Sequence, residues 1–483
     1  MKRNIIFFLF CIGVLILQTN RSFAQMQSYM TYSAERLLNN TSVVYINPNI
    51  ETVKVEKLSN DTIITLCRDK NTDLSYFLLT VSSNTFTYFH EVDPNYVVYD
   101  FKLLENNIYF CGKVFNPNSL SYTGFIARSS IQTFFFATYP YNIFYSNTID
   151  PTDVVYDMEV YKDPRTTYPR ISALGHNSTN NKYYFFDFDI TLGTGPYSVF
   201  ETDHILQDIT QTSNYIAVTF STDYLQGEFG VMRHKKSNIF NCQSQIFDFV
   251  YNGNESMGTM RRPENQLKCY LSESIDRRDE ILVATTMEAN KELPSPFERY
   301  NRTINIYHIS LDSISLLRTQ LLPLSGKPYI KDMVYRTQDS TLYIVSNISL
   351  CKELNEKDIF RIDGILKVKP LKNSPYSPIY IIPSHCESSI ETINNIAKYG
   401  SDDEYYIVGG VSDNSQANKL YWFDKIYQNI MGNCYNTFKT PAIFAPKILL
   451  DSYIYTPTPV YTSTFTGPSG DVNGIFWSLP CSN

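Results

Sequence analysis

One pattern of apolar and polar positions recurs along most of the chain and predicts β-sheets. Each copy begins with a strand that carries an acidic or amide side chain between apolar neighbours, as in Val98-Tyr99-Asp100-Phe101. A second, very apolar strand follows, then a polar loop, then a third strand rich in aromatic residues. Such runs are typical of strands, and the chain lacks the long apolar periodicity of about 3.6 residues that helical repeats need. The pattern therefore predicts an all-β protein.

The second strands of these copies recur roughly every 45 to 65 residues, which matches the period of four-stranded propeller blades. Two weaker copies, with second strands at residues 61–66 and 280–284, fill the gaps between the clearer ones. A single unit of this size cannot bury both of its faces, so we expect the units to pack against one another around a common axis. The clear copies carry the acidic or amide residue at Asp100, Asp157, Asp208, Asp332 and Asn395.

The order of apolar strand, glycine, polar loop and aromatic strand resembles kelch-type and related β-propeller repeats. The best copy runs from Tyr405 to Phe423 and contains Gly409-Gly410 and Trp422, while other copies keep one glycine, Gly112 or Gly175. The resemblance spans roughly residues 50–430 and implies a β-propeller fold, but it implies no activity.

The number of blades is open between seven and eight. Seven copies are legible, and residues 441–481 contain three more candidate strands. Residues 41–47 form an isolated strand that would complete an eighth blade if it paired with those three, and ring closure by both ends of the chain would remove exposed edges. The alternative is seven blades with a C-terminal extension. In either case we expect residues 25–483 to form a single propeller domain.

The N-terminus predicts export. Lys2 and Arg3 precede an apolar run from Ile5 to Leu17, and Ser22-Phe23-Ala24 supplies small residues for cleavage before Gln25. The run is too short to span a bilayer, so residues 1–24 read as a signal peptide and the mature chain as secreted or periplasmic, without membrane insertion. Cleavage lowers the formal net charge from −7 to −10, which argues against a nucleic-acid partner.

Cleavage also removes Cys11 and leaves an even number of cysteines, which suggests disulfides in an exported protein. None of them has the CxxC spacing of a zinc or redox site, so no metal is expected. Equivalent places on neighbouring second strands suggest one pair, and sequence order suggests the others. The predicted pairs are Cys67 with Cys111, Cys242 with Cys269, Cys351 with Cys386, and Cys434 with Cys481.

The recurring acidic positions allow two interpretations. In a propeller the first strand of each blade lines the central channel, so these oxygens could hold a hard cation or water there. Alternatively, each carboxylate accepts hydrogen bonds from a neighbouring strand or loop and fixes the angle between blades. Repetition in most blades favours the structural interpretation, because active sites seldom repeat in this way.

Loops that follow the second strands are the candidate ligand surface, since long loops on rigid scaffolds commonly bind partners. The candidate residues are His176, Glu292, Phe297, Arg299, Tyr300, Lys352 and Glu353. The chain shows no HExxH, GxSxG or P-loop motif, so no catalytic residue and no cofactor is assigned. We therefore expect a binding or scaffold protein for an unidentified protein or glycan. A glycan hydrolase or lyase and a structural subunit of an envelope assembly are the alternatives.

Overall fold

The computed structural model describes most of the regular structure of the chain, and the expected signal peptide lies outside the described residues. The described ranges are 31–33, 42–45, 50–59, 62–69, 71–81, 86–136, 142–143, 152–162, 169–189, 196–221, 229–236, 244–249, 259–260, 270–275, 279–288, 302–310, 314–322, 330–336, 340–351, 359–368, 376–381, 389–399, 404–413, 419–426, 436–443, 452–455 and 459–464.

The described residues are almost entirely antiparallel β-structure, grouped in consecutive sheets that we number 1 to 7. Sheet 1 consists of Ile50–Ser59, Thr62–Asp69, Ser75–Val81 and Phe86–Glu91, and sheet 2 of Tyr96–Leu104, Asn107–Asn116, Ser121–Ser130 and Asn142–Ile143. Sheet 3 consists of Val154–Lys162, Pro169–Asn177, Lys182–Asp189 and Pro196–Thr202, and sheet 4 of Ile205–Gln211, Tyr215–Ser221, Phe229–Lys235 and Ser244–Phe249. Sheet 5 consists of Thr259–Met260, Tyr270–Ile275, Glu280–Glu288, Arg302–Ile309 and Ile314–Leu322. Sheet 6 consists of Ile330–Arg336, Thr341–Cys351, Ile359–Val368 and Tyr376–Ile381. Sheet 7 consists of Ser389–Tyr399, Glu404–Asp413, Lys419–Ile426, Ser42–Tyr45 and Thr31–Ser33.

The sheets follow one another around a closed ring. The innermost strand of each sheet, which is Tyr270–Ile275 in sheet 5 and the first strand in the other sheets, contacts the innermost strand of the next. Ser389–Tyr399 of sheet 7 contacts Ile50–Ser59 of sheet 1. Each sheet meanders outwards from that inner strand, because consecutive strands pair with each other. A closed cycle of radially arranged antiparallel sheets is a β-propeller, so the predicted fold class is confirmed.

Apolar side chains fill the spaces between neighbouring sheets. Sheets 1 and 2 share a largely aromatic core in which the ring of Phe77 lies 5.3 Å from that of Phe101 and 5.0 Å from that of Phe134. Phe134 belongs to a short helix, Ile131–Phe136, that covers this core. No described helix has both the length and the apolar character that crossing a bilayer requires.

Three glycines of the repeat lie opposite a bulge in the first strand. The pairing of the first two strands shifts between Val98 and Asp100, between Val155 and Asp157, and between Ile393 and Asn395. The residue that faces the strand just before the bulge is Gly112, Gly175 or Gly409 respectively. A Cβ atom at Gly112 would lie 1.8 Å from the carbonyl oxygen of Val97, so the bulged strand leaves no room for a side chain there.

Replacing Gly112 with alanine is therefore expected to lower the free energy of unfolding by about 1–3 kcal/mol, because the added methyl group must displace backbone. Urea denaturation followed by tryptophan and tyrosine fluorescence measures the change. Ser119→Ala, in the exposed turn that follows the same strand, is the control and should change stability by less than about 0.5 kcal/mol. Equal stability of both variants would contradict this role of Gly112.

The described strands near the two chain ends do not pair with one another, as an eighth blade built from both ends would require. Ser42–Tyr45 instead pairs with Lys419–Ile426, with Val43 opposite Trp422, and so joins sheet 7. Three C-terminal strands bind the outer edges of other sheets: Asn436–Ile443 lies between sheets 5 and 6, Ser452–Tyr455 on sheet 4, and Pro459–Thr464 on sheet 3. These outer edges offer unpaired backbone groups, which explains why the terminal strands bind there.

The predicted pairing of Cys67 with Cys111 is wrong in this structure, where both are buried thiols. Cys111 packs between sheets 2 and 3, whereas Phe110 beside it faces sheet 1. Leu66 faces sheet 2, so Cys67, one residue further along the strand, points to the opposite side of sheet 1. Cys67 and Cys111 therefore point away from each other and cannot meet, because Cys67 pairs with Thr52 before the bulge of its sheet whereas Cys111 pairs with Asp100 after the bulge. The other predicted pairs involve Cys242, Cys269, Cys351, Cys386, Cys434 and Cys481, whose side chains lie outside the described part of the chain.

Candidate functional site

The recurring carboxylates join neighbouring sheets. Asp100 Oδ2 accepts a hydrogen bond of 3.0 Å from the backbone N–H of Met158, the residue after Asp157 in sheet 3. Asp157 Oδ2 accepts a 3.0 Å bond from the N–H of Ile209, the residue after Asp208 in sheet 4. Asp100 and Asp157 are 3% and 2% exposed, so each carboxylate replaces water as the partner of a buried N–H group. This geometry favours the structural interpretation of these positions.

The remaining positions of the series are less uniform. Asp208 is also buried, and Asp332, which is half-buried, accepts a 2.8 Å bond from the N–H of Met333. Asn395 follows the bulge of sheet 7, but its side chain lies outside the described residues. Within the part of the chain that the structure describes, no three His, Cys, Asp or Glu side chains are grouped in a way that suits a metal ion.

In sheet 1 the corresponding position is a lysine. The pairing shift there falls between Thr52 and Lys54, which places Lys54 where the other sheets carry Asp or Asn. The Lys54 ammonium forms an ion pair with Asp100 Oδ1. Asp100 therefore has one oxygen on a cation from sheet 1 and the other on a backbone N–H of sheet 3.

Removing the Asp157 carboxylate should weaken the contact between sheets 3 and 4. Asp157→Ala is expected to cost about 1–3 kcal/mol of folding free energy, because the buried N–H of Ile209 loses its acceptor. Asp157→Asn keeps an acceptor oxygen of the same size and should cost less. Thermal unfolding of the two variants checks this, and an alanine variant as stable as the asparagine variant would contradict the role.

A network of charged and amide side chains connects the inner strands. It lies between the recurring carboxylates and the C-terminal ends of those strands. Lys102 Nζ lies 2.7 Å from Glu159 Oε1 and 3.7 Å from Glu56 Oε1, so it joins sheets 1, 2 and 3. Glu159 Oε2 accepts a 2.8 Å bond from Gln211 Nε2, and Gln211 Oε1 accepts a 3.1 Å bond from Lys236 Nζ in sheet 4. The inner ring is therefore held by polar contacts as well as by the apolar cores.

Burial and neighbouring charges have opposite effects on the pKa values of Lys102 and Glu159. Burial disfavours the charged form of Lys102, but Glu159, Glu56 and Asp100 outweigh it and raise the pKa of Lys102 well above its usual value. Burial raises the pKa of Glu159, and the attraction of Lys102 opposes that rise only in part. Lys236 has neutral partners at hydrogen-bonding distance, so burial lowers its pKa.

Sheet 3 also contains an ion pair in its interior. Arg170 Nη2 donates to Asp187 Oδ2 at 2.8 Å, and the two side chains are 1% and 0% exposed. Ser172 Oγ donates to Asp187 Oδ1 at 3.0 Å, and the hydroxyl of Tyr161 lies 3.4 Å from the same oxygen. Burial, reinforced by the charge of Asp187, raises the pKa of Tyr161 well above its usual value and keeps this hydroxyl protonated as a donor.

His176 lies at one end of the propeller, which we call the entry end: the end where first strands begin and second strands finish. It lies at the end of Pro169–Asn177, its ring 4.5 Å from that of Tyr183 and its Nε2 3.3 Å from Asn181 Oδ1. The other candidates, Glu292, Phe297, Arg299, Tyr300, Lys352 and Glu353, lie outside the described residues.

Sheets 1 and 2 bring cations and aromatic rings together at the entry end. The guanidinium carbon of Arg68 lies 5.2 Å from the centre of the Tyr99 ring, and Lys113 Nζ lies 5.8 Å from it. Lys113 Nζ also lies 4.5 Å from the ring centre of Tyr122, which is 44% exposed. We call Arg68, Tyr99, Lys113 and Tyr122 the Tyr99 platform.

No sequence motif predicted this platform. Tyr99 is the bulge residue of its strand. Arg68 and Lys113 lie near the C-terminal ends of two second strands. Their positions along the chain have no motif spacing, so only the alignment of successive first and second strands could have indicated that they meet. The nearby acidic group is Asp73, whose carboxylate lies 3.8 Å from Lys113 Nζ and is 55% exposed, so it neutralises the lysine weakly.

No known protein family and no curated protein matches the sequence. Several solved structures resemble the chain at low identity. The β-propeller domain of the Trilobed protease from Pyrococcus furiosus has a TM-score of 0.44 and 10% identity, covering 79% of this chain and 99% of that one. An acylaminoacyl peptidase from Pyrococcus horikoshii has a TM-score of 0.43 and 9% identity, covering 79% of this chain and 53% of that one.

The polysaccharide lyase Uly1 is also similar, with a TM-score of 0.38 and 6% identity over 78% of this chain and 90% of that one. These proteins act on different classes of substrate, and likenesses this distant transfer no activity. The fold assignment rests on the ring of sheets in the chain itself.

Proposed function

We propose that the protein is an exported, seven-bladed propeller that binds a protein or glycan ligand at its entry end. The observation that carries the proposal is the contrast between the carboxylates of the inner strands and the cations of the Tyr99 platform. The Asp100 and Asp157 carboxylates are occupied by contacts between sheets, whereas the Tyr99 platform places two cations, of which Lys113 is 20% exposed, beside the 44% exposed ring of Tyr122. Binding sites on rigid scaffolds commonly combine aromatic surface with a few placed polar groups.

Export is part of the proposal and has its own test. The apolar segment that ends at Leu17 and the small residues before Gln25 support cleavage after Ala24. N-terminal sequencing of the protein recovered outside the cytoplasm should therefore begin at Gln25. Recovery of the uncleaved chain in the membrane fraction would contradict export by a cleaved signal.

The binding role is tested by presenting the exported chain to a broad glycan array and to proteins of its native envelope. Saturable binding of one ligand, weakened by substitutions in the Tyr99 platform and unaffected by substitutions at the opposite end, is the expected result. Chemical turnover of any bound glycan would instead favour a hydrolase or lyase. Stable stoichiometric recovery in an envelope complex, with the entry end buried against a neighbouring subunit, would favour a structural subunit.

A further inference from the structure

We propose that the Tyr99 platform recognises a carboxylate-bearing glycan, that is, a polymer of uronic acids. The inference rests on the proposed binding function and adds the chemical class of the ligand and the residues that hold it.

The two cations of the platform supply the reason for an acidic ligand. Arg68 and Lys113 both lie against the Tyr99 ring, so two positive charges from neighbouring sheets are held side by side. Asp73 near Lys113 is more than half exposed, and no other acidic side chain has an ion pair with Lys113 among the described contacts. The Lys113 ammonium has only this weakly held carboxylate beside it, and Arg68 adds a second positive charge nearby, so the pair suits a carboxylate-bearing group.

The aromatic rings supply the reason for a sugar. Tyr122 is 44% exposed, and its ring centre lies 5.4 Å from that of Phe115 in an edge-to-face arrangement. Leu120, in the turn between their strands, is 79% exposed and extends the apolar surface. One face of a pyranose carries C–H groups that pack against an aromatic ring, whose negative face attracts them. Ring and cations are adjacent because Lys113 lies over Tyr122 at 4.5 Å.

The net charge of the chain makes a nucleic acid a poor alternative for the same surface. The full sequence has a formal net charge of −7, and a nucleic acid needs a broad basic footprint rather than two cations. A uronic acid polymer carries one carboxylate on each uronate residue, so a local cationic site is enough to bind it. The platform therefore fits a ligand that alternates apolar ring faces with single negative charges.

The test compares matched oligosaccharides by isothermal titration calorimetry with the full exported chain. A panel of uronate oligomers, of galacturonate, glucuronate and mannuronate, is set against the neutral oligomer of the same sugar and length. The wild type should bind at least one uronate oligomer roughly tenfold or more tightly than its neutral counterpart. Raising the ionic strength should weaken this preference, since partly exposed charges are screened.

Variants assign the binding to the platform. Lys113→Gln and Arg68→Gln should each reduce the uronate affinity roughly tenfold, while Tyr122→Ala should weaken the charged and the neutral oligomer by similar factors. The control is Lys162→Gln, a lysine that is 54% exposed at the opposite end and should leave affinity unchanged. Unchanged melting temperatures show that the variants fold, and if Arg68→Gln does not fold, Lys113→Gln alone carries the test.

The outcomes separate this inference from the proposed function. Equal affinity for charged and neutral oligomers, no binding of any uronate, or full uronate affinity of Lys113→Gln would overturn the ligand class or the site. Binding of another ligand at the entry end would still uphold the binding function in those cases. If neither a glycan nor an envelope protein binds, the proposed function fails as well.

Discussion

Replacing Asp187 with alanine is expected to lower the free energy of unfolding by about 3–5 kcal/mol, because it leaves the Arg170 guanidinium in the interior of sheet 3 without its carboxylate. Arg170 is 1% exposed, so water cannot replace the lost partner. Ser172 would also lose the acceptor of its 3.0 Å hydrogen bond. Chemical denaturation of the wild type and the variant measures the difference.

Two further variants make the test of Asp187 specific. Asp203 also pairs with a cation, Lys182, but its side chain is 83% exposed, so Asp203→Ala should cost less than about 0.5 kcal/mol. The double variant Arg170→Met with Asp187→Leu removes both charges and should recover much of the lost stability, because buried ion pairs contribute little beyond an apolar pair of similar volume. A large cost for Asp203→Ala, or none for Asp187→Ala, would contradict this account.

Replacing Lys102 with methionine should have the second largest effect, a loss of about 2–3 kcal/mol at neutral pH, because the buried Glu159 carboxylate loses its cation. Lys162→Met is the matched control: Lys162 also pairs with a glutamate, Glu105, but both side chains are more than half exposed. That control should lie within about 0.5 kcal/mol of the wild type.

The Lys102 effect should depend on pH in a defined direction. Burial raises the pKa of Glu159, and Lys102 opposes the rise, so the pKa rises further in the variant. A carboxyl whose pKa is higher in the folded than in the unfolded chain is penalised when ionised, so its cost is full above the folded pKa. As the pH falls through that value Glu159 becomes neutral in the folded variant, and the difference from the wild type should shrink. A difference that is constant from neutral to acidic pH would contradict the pairing.

The inner half of the propeller could be predicted from sequence because its signals are local. First strands with a central carboxylate, very apolar second strands and aromatic third strands, such as Lys182–Asp189, lie where the repeat placed them. The inter-sheet role of Asp100 and Asp157 was also among the two interpretations of the repeat. Their partners, Met158 and Ile209, lie one residue after the next carboxylate, so the repeat itself contained this information.

The outer half could not be predicted in the same way. Ser42–Tyr45 joins a strand that is almost the whole chain away, and the C-terminal strands join three different parts of the ring. Such pairing depends on which sheet edges remain unpaired. It therefore produces no regular spacing of residues in the sequence. The cysteine error has a local origin: Cys67 pairs before the bulge and Cys111 after it, and this offset of one residue reverses the direction of a strand side chain. The Tyr99 platform was missed because a bulge, not a motif, brings Tyr99 to the cations.

The C-terminal strands give the molecule an order of assembly. They return along the rim against the direction of synthesis, from the gap between sheets 5 and 6 to sheet 4 and then to sheet 3. Each pairs with the outermost strand of its sheet, so its hydrogen bonds require that strand to be in place, and we expect the C-terminal strands to join the sheets late in folding. Contacts between residues so distant in sequence slow folding, because the loop must close before they stabilise it. A chain caught before these strands join would expose open strand edges, and that intermediate is the stage at which self-association would compete with maturation.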